Sequence, residues 1–316
     1  MYKGARIYLA GHTGLLGSAI LRELRSHGCP EVITMGRSEL DLTDQRAVLS
    51  FFDSCRPEYV FLAAGLTGGI QANKNFGADF LHVNLSIQDN CFEAAQQSGV
   101  RHLVFYGSSC IYPKDAAQPI SEDSLMTGPI ERTSDAYATA KIAGVVACRR
   151  YNEQYRTNRF IALVPNSIYG PNDNFDPSSS HVFSALISRL HRAKIEGMET
   201  ITLWGSGLPS REFIFCEDAA RASLFAVENA QRLENRHYNV GTGADCSIKE
   251  LAGKIARVVG YTGRILWDTS KPDGTMRKLL DSGDFKKLGW EPTVGLNEGI
   301  ERTYEWFLTN ELDRSA

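Results

Sequence analysis

The chain has 316 residues, 43% of them apolar and 22% charged, enough for a large core in one big domain plus a smaller one, which excludes a disordered or fibrous protein. Its 37 acidic and 34 basic side chains leave a formal net charge of −3, so there is no basic footprint for a nucleic-acid partner. No apolar stretch approaches a membrane span and the N-terminus lacks a signal-peptide pattern; seven scattered cysteines without a CxxC pair predict reduced thiols in the cytoplasm and no metal site.

In chain order, Arg6 to Ala10 reads as a buried strand, followed by a glycine loop and a helix over Leu15 to Ser26 with apolar Leu15, Leu16, Ile20, Leu21 and Leu24. Apolar runs recur at Val32–Met35, Tyr59–Leu62, His102–Tyr106 and Phe160–Val164. Helical patterns at Gln45–Phe52, Phe80–Gln97 and Ala138–Tyr155 separate them. This alternation predicts an α/β fold with a doubly wound parallel sheet. After Pro165 the pattern loosens through Gly170-Pro171-Asn172-Asp173-Asn174 and Asp176-Pro177-Ser178-Ser179-Ser180, which are rich in turn formers. The expected division is a cofactor-binding domain over 1–165 and a smaller, discontinuous C-terminal lobe over 166–316 for substrate. Segments near 210–243, including a helix at Ala219–Ala230 and a strand at His237–Val240, are expected to return to the main sheet.

The loop Gly11-His12-Thr13-Gly14-Leu15-Leu16-Gly17 is G-x-x-G-x-x-G between a strand and a helix. The first glycine permits the turn, the second lets backbone approach a pyrophosphate, and the third lets helix pack on strand, with the helix N-terminus favouring the anion. At the end of the second strand, where an NAD-binding chain would place a carboxylate, stands Arg37, a fork suited to a 2′-phosphate; the spacing favours NADP(H). Asp41 is positioned to accept the adenine amino group, and Ala63-Ala64-Gly65 after the third strand is small enough for a cofactor to lie close.

Tyr137-Ala138-Thr139-Ala140-Lys141 is Y-x-x-x-K at the start of a helical pattern, with both side chains on one face. A nearby ammonium is expected to lower the phenol's pKa, so that Tyr137 can exchange a proton at a carbonyl while Lys141 also binds the nicotinamide ribose. Ser108 ends the fourth strand in Gly107-Ser108-Ser109-Cys110-Ile111-Tyr112-Pro113. With these three residues the chain resembles the extended short-chain dehydrogenases, Rossmann-like enzymes in which Ser/Thr, Tyr and Lys polarise a sugar ketone for hydride transfer.

Cys110 in G-S-S-C-I-Y-P, and Tyr169-Gly170-Pro171-Asn172-Asp173-Asn174-Phe175 followed by Ser180-His181-Val182, narrow the resemblance to the GDP-L-fucose synthases. Further matching stretches are Gly68-Gly69-Ile70-Gln71-Ala72-Asn73, Trp204-Gly205-Ser206-Gly207, Arg211-Glu212-Phe213, Asn239-Val240-Gly241-Thr242-Gly243 and Ser270-Lys271-Pro272-Asp273-Gly274. The resemblance implies epimerisation at C3 and C5 of GDP-4-keto-6-deoxy-D-mannose with Cys110 as base and His181 as acid, then NADPH-dependent reduction at C4. It also implies that Pro165 and Ile168 line the cofactor, that Arg189, Arg211 and Lys278 meet the GDP-sugar, and that the chain forms a homodimer. Trp204 is either a wall of the guanosine pocket or a core tryptophan. The chain departs from the family at Thr13, where many members carry arginine, at Leu66-Thr67, and at Asn166-Ser167, where Thr-Asn is usual. A sister sugar such as GDP-4-keto-3,6-dideoxy-D-mannose and a non-catalytic NADP-binding sensor are the alternative readings.

Overall fold

The protein is seen in a computed structural model that describes all residues except 1, 3, 30, 177, 178, 272 and 311–316. The Pro177-Ser178 pair and Pro272 of the sequence motifs therefore lie outside the described residues. The strands are β1 (Ile7–Ala10), β2 (Val32–Ile33), β3 (Tyr59–Leu62), β4 (His102–Tyr106), β5 (Phe160–Pro165), β6 (Ser167–Tyr169), β7 (Thr200–Trp204), β8 (Ser210–Phe215), β9 (Tyr238–Val240), β10 (Asp245–Ser247), β11 (Arg264–Asp268) and β12 (Arg277–Lys278). The helices are α1 (Leu15–Ser26), α2 (Gln45–Cys55), α3 (Ile70–Asn75), α4 (Gly77–Ser98), α5 (Asp135–Tyr155), α6 (Val182–Ile195), α7 (Cys216–Glu228), α8 (Ile248–Val259), α9 (Gly283–Lys287) and α10 (Leu296–Asn310).

The main sheet is parallel, in the order β2-β1-β3-β4-β5-β9, so the direction of winding reverses between β1 and β3. Side chains alternate across it: Ile7, Leu9, Phe61 and Val104 join one apolar cluster, while Tyr8, Ala10, Val60 and Leu62 join the other. Helices α1 and α7 pack together, and so do α4 with α2 and with α5. Strand β2 is shorter than the apolar run Val32–Met35 because it is an edge strand, paired only through Ile7↔Val32 and Tyr8↔Ile33 before the chain turns at Gly36.

Local chemistry sets several element ends. Asp44 caps α2 by accepting from the backbone N–H groups of Arg46 and Ala47, and Ser247 with Glu250 forms a reciprocal capping box on α8. The smaller lobe contains a sheet in which β8 pairs with β6, β10 and β12, and a two-stranded sheet of β7 with β11. Its apolar residues Tyr169, Phe183, Phe213, Leu251, Ile255 and Ile300 belong to the same cluster as Ile7, Leu9 and Ile20, so one core runs through both parts.

The contact of α4, α5 and the sheet depends on Gly144. A Cβ there would lie 2.3 Å from Cζ of Phe105 and 2.8 Å from Oε1 of Gln88. Gly144→Val is expected to cost about 1–3 kcal/mol of stability through overpacking, seen as a lower thermal midpoint by circular dichroism.

Candidate active site

The glycine loop leaves β1 at the point where the sheet reverses its winding. Gly11 has φ of 81°, and a Cβ on it would lie 2.7 Å from the backbone N of Ala64 and 2.8 Å from the carbonyl of Ala63. A Cβ on Gly17 would lie 2.0 Å from the carbonyl oxygen of Gly11, so helix and loop meet at backbone distance. Gly14 occupies the N-cap of α1 without a side-chain cap, which leaves first-turn N–H groups for a ligand. Thr13 and Gly14 are exposed, Leu15, Leu16, Ala63 and Ala64 half-buried, and Arg37 is exposed on the turn after β2. Asp41 accepts from the N–H and hydroxyl of Thr43; these bonds, with Arg37 as a smaller influence, hold its carboxyl below the usual range. Buried Pro165 and half-buried Ile168 flank the end of β5. An uncapped helix N-terminus behind backbone that no Cβ could approach fits the pyrophosphate of a dinucleotide.

Ser108, at the end of β4, caps the short turn Ser109–Ile111, its hydroxyl accepting from the backbone N–H of Cys110 at 3.4 Å. Tyr137 enters from the first turn of α5, its ring edge-to-face with Phe80 of α4 at 6.2 Å. One turn on, the buried Lys141 ammonium donates to the carbonyl of Tyr106 at 2.9 Å and lies 4.9 Å from the centre of the Phe105 ring and 5.9 Å from that of Tyr137. Burial pulls this ammonium down to about 8.

The phenol differs from its sequence-based expectation. Burial pushes Tyr137 up, negative charge on Cys110 adds to the effect, and the hydrogen bond with Ser108 only partly offsets it. The ammonium expected to lower it is instead bonded to the Tyr106 carbonyl. Tyr137 is thus a protonated phenol at neutral pH, the form of a proton donor.

Cys110 shows the opposite balance. Burial opposes its ionisation, yet the Lys278 ammonium 3.7 Å away and hydrogen bonds with Ser108 and Ser134 outweigh it and leave the thiol below its ordinary value. Lys278 stands in β12 directly opposite Arg211 of β8. Arg211 is half-buried, donates to the carbonyl of Ser210 at 2.7 Å, and interacts electrostatically with Cys110.

His181 is exposed at the N-cap of α6. The Gly68-Gly69 turn fixes the segment before it: the N–H of Gly69 donates to the carbonyl of Ser179 at 3.1 Å, and a Cβ at Gly69 would lie 3.0 Å from that of Ser180. Burial pushes the Asp173 carboxyl up, while its hydrogen bonds from the Ser184 hydroxyl and the Asn174 N–H, together with the charge of His181, oppose the shift.

Arg189 is half-buried and donates to the carbonyl of Thr202 on β7 at 2.8 Å. Trp204, at the end of β7, is 62% exposed with the Lys271 ammonium 5.8 Å from its ring, which excludes a core role. Glu212, which the sequence reading passed over as a site residue, is fully buried beside Arg211. Its carboxyl accepts from Asn166 Nδ2 at 2.6 Å, from the N–H groups of Gly243 and Leu280 at 2.7 and 3.0 Å, and from the Thr242 hydroxyl at 3.4 Å. A Cβ at Gly241 would lie 2.4 Å from Oε1 of Glu212, so the glycine of Val240-Gly241-Thr242-Gly243 was the available sign of a close approach.

A parallel sheet with a glycine loop at its winding reversal and Ser, Tyr and Lys at its carboxyl edge defines an enzyme of the extended short-chain dehydrogenase class. The chain belongs to the NAD dependent epimerase/dehydratase family, whose sequence model matches residues 7–241. It is 48% identical over 313 residues to the GDP-L-fucose synthase of Escherichia coli (strain K12), covering 97% of each chain. It is 35% identical over 306 residues to a GDP-L-colitose synthase of Yersinia pseudotuberculosis, covering 97% of this chain and 99% of that one. Among solved structures it is similar to a GDP-mannoheptose C4 reductase from Campylobacter jejuni with NADP bound, with a TM-score of 0.89, 38% identity, and 96% and 98% of the two chains covered.

The 2.0 Å approach at Gly17 makes that position a direct check on the loop. Gly17→Ala is expected to weaken NADPH binding by about tenfold or more, measured by fluorescence titration, because each factor of ten needs only about 1.4 kcal/mol of lost or strained contact.

Proposed function

We propose that this chain converts GDP-4-keto-6-deoxy-D-mannose to GDP-L-fucose, by epimerisation at C3 and C5 followed by NADPH-dependent reduction at C4. The 48% identity to a GDP-L-fucose synthase over nearly the whole chain supports this substrate; the colitose enzyme, at 35% identity, is a more distant relative. The observation that carries the chemistry is the Cys110 thiol, in the same short turn as Ser108 and 3.7 Å from a lysine ammonium.

The C4 ketone acidifies the hydrogens on C3 and C5. Cys110 as thiolate takes the proton from carbon, leaving an enolate whose oxygen is held by the hydroxyls of Ser108 and Tyr137. His181 returns a proton to the opposite face of the same carbon, which inverts it; the thiol then gives its proton to solvent and His181 takes one up, and the same two groups act on the second carbon. The hydride for C4 would come from NADPH bound at the glycine loop. Tyr137 then gives its proton to the C4 oxygen, consistent with a phenol that burial keeps protonated. Lys141 holds the nicotinamide ribose, Arg37 the 2′-phosphate, and the first turn of α1 the pyrophosphate. Arg189, Arg211 and Trp204 are assigned to the GDP end of the substrate. The same reading carries a cytoplasmic homodimer joined through α4 and α5.

The primary test is loss of NADPH absorbance with GDP-4-keto-6-deoxy-D-mannose, with NADH run in parallel; stoichiometric loss, faster with NADPH, is expected. Turnover of neither cofactor would sink the reading. Cys110→Ser is expected to lower deuterium incorporation from solvent at C3 and C5 by about 10²-fold or more. Tyr137→Phe is expected to lose NADPH oxidation and, with Ser108 left to hold the enolate oxygen, to lower that exchange less than Cys110→Ser does.

The pH dependence has a defined sign. Lys141 is charged below about 8 and loses its proton as pH rises through that value, whereas Tyr137 stays protonated across the neutral range. The kcat/KM for NADPH oxidation is therefore expected to fall on the alkaline side of about 8, and Lys141→Arg, which stays cationic, to remove that limb.

A further inference from the structure

The Cys110 sulfur lies among groups from four parts of the fold. Lys278 of β12 points its ammonium at the sulfur from 3.7 Å. Arg211 of β8 stands in register beside Lys278 and interacts electrostatically with the thiol. The hydroxyls of Ser108, in the same turn, and Ser134, just before α5, hydrogen-bond to it, and the Tyr137 phenol of α5 feels its charge. Among the described residues, the charged groups that act on the sulfur, Lys278 and Arg211, are both cations, at a place where the proposed reaction needs a thiolate.

The aim of Lys278 is imposed by the backbone around it. Its carbonyl accepts from Asn166 Nδ2 at 3.3 Å, and the next two N–H groups donate to Gln118 Oε1 at 2.9 Å and to buried Glu212 at 3.0 Å. The other basic residue of β12, Arg277, is committed outward to Asp245 by two bonds of 2.7 and 3.1 Å. One member of the Arg277-Lys278 pair thus neutralises a carboxylate, and the other is directed at sulfur.

We propose that Lys278 is the positioning residue of the Cys110 base, holding the thiolate at the reacting carbons, rather than a lysine whose main task is to grip the GDP-sugar. The inference rests on Cys110 being that base. An ammonium at this distance favours the charged partner, whereas a lysine that only bound the nucleotide diphosphate would act on KM and leave the substrate-free thiol unchanged.

The test measures iodoacetamide alkylation of Cys110, resolved by peptide mass spectrometry, against pH in the full chain without substrate. Lys278→Met is expected to slow alkylation at pH 7 about tenfold or more and to move its midpoint to higher pH, with Lys278→Arg restoring most of the rate. Lys278→Gln is run beside the methionine variant, and thermal melts confirm that the proteins are folded. Solvent deuterium exchange at C3 is then expected to show the same alkaline displacement, with kcat lowered more than KM is raised. Alkylation of Lys278→Met and Lys278→Gln at the wild-type rate across pH, with only KM raised, would overturn the assignment and leave the base intact. Wild-type exchange in Cys110→Ser would remove the base itself, a separate result because the alkylation is measured without turnover.

Discussion

A parallel sheet covered on both faces can place polar chemistry only at the ends of its strands, and the candidate site follows from that constraint. Apolar side chains alternate to both sides of β1, β3, β4 and β5, leaving no room for a ligand over the sheet. Gly11, Ala63, Ser108 and Pro165 all stand at or just past carboxyl ends of neighbouring strands, next to the winding reversal between β1 and β3. Loop and helix can close there only because two backbone segments approach to distances that exclude a Cβ. The uncapped first turn of α1 and the end of β4 are consequences of one arrangement of strands.

The second half of the site is carried by the smaller lobe, and its attachment is polar as well as apolar. Glu212 is fully buried and held above the usual carboxylate range by burial, yet all four of its hydrogen-bond partners are donors. They come from the segment after β5, the turn after β9 and the segment after β12. One carboxyl group therefore joins the main sheet to the strand pair bearing Arg211 and Lys278. A buried carboxyl left without such donors would be strongly destabilising, which is the physical reason for Gly241 at its contact and Asn166 within its reach.

The titrating groups near the edge of β4 are driven apart by their surroundings. Burial alone would raise both Tyr137 and Cys110, but the thiol has an ammonium and two hydroxyls around it, while the phenol has the thiol's charge and one hydroxyl. The outcome is a weak acid kept protonated beside a thiol biased toward ionisation. That division suits a reaction in which carbon loses a proton first and oxygen gains one last.

Much of this was legible in the residues. Alternating apolar runs and helical patterns define the doubly wound fold because burial on both sheet faces demands continuous apolar strands, and the glycine spacing of the loop follows from sterics that no other residue meets. Ser108, Tyr137 and Lys141 can be read as candidates because their spacing relative to strand and helix ends is local, whereas Cys110 and His181 are candidates only through the resemblance of their motifs to the family's. What distance in the chain hides was decided only by tertiary structure. Lys278 meets Cys110 across 168 positions, Glu212 draws partners from three separate segments, and Lys141 satisfies the Tyr106 carbonyl instead of lowering the phenol it follows by one turn. Sequence pattern fixes which side chains share a face; which charge lies against which sulfur depends on strands paired across the fold, and on the desolvation that the packing imposes.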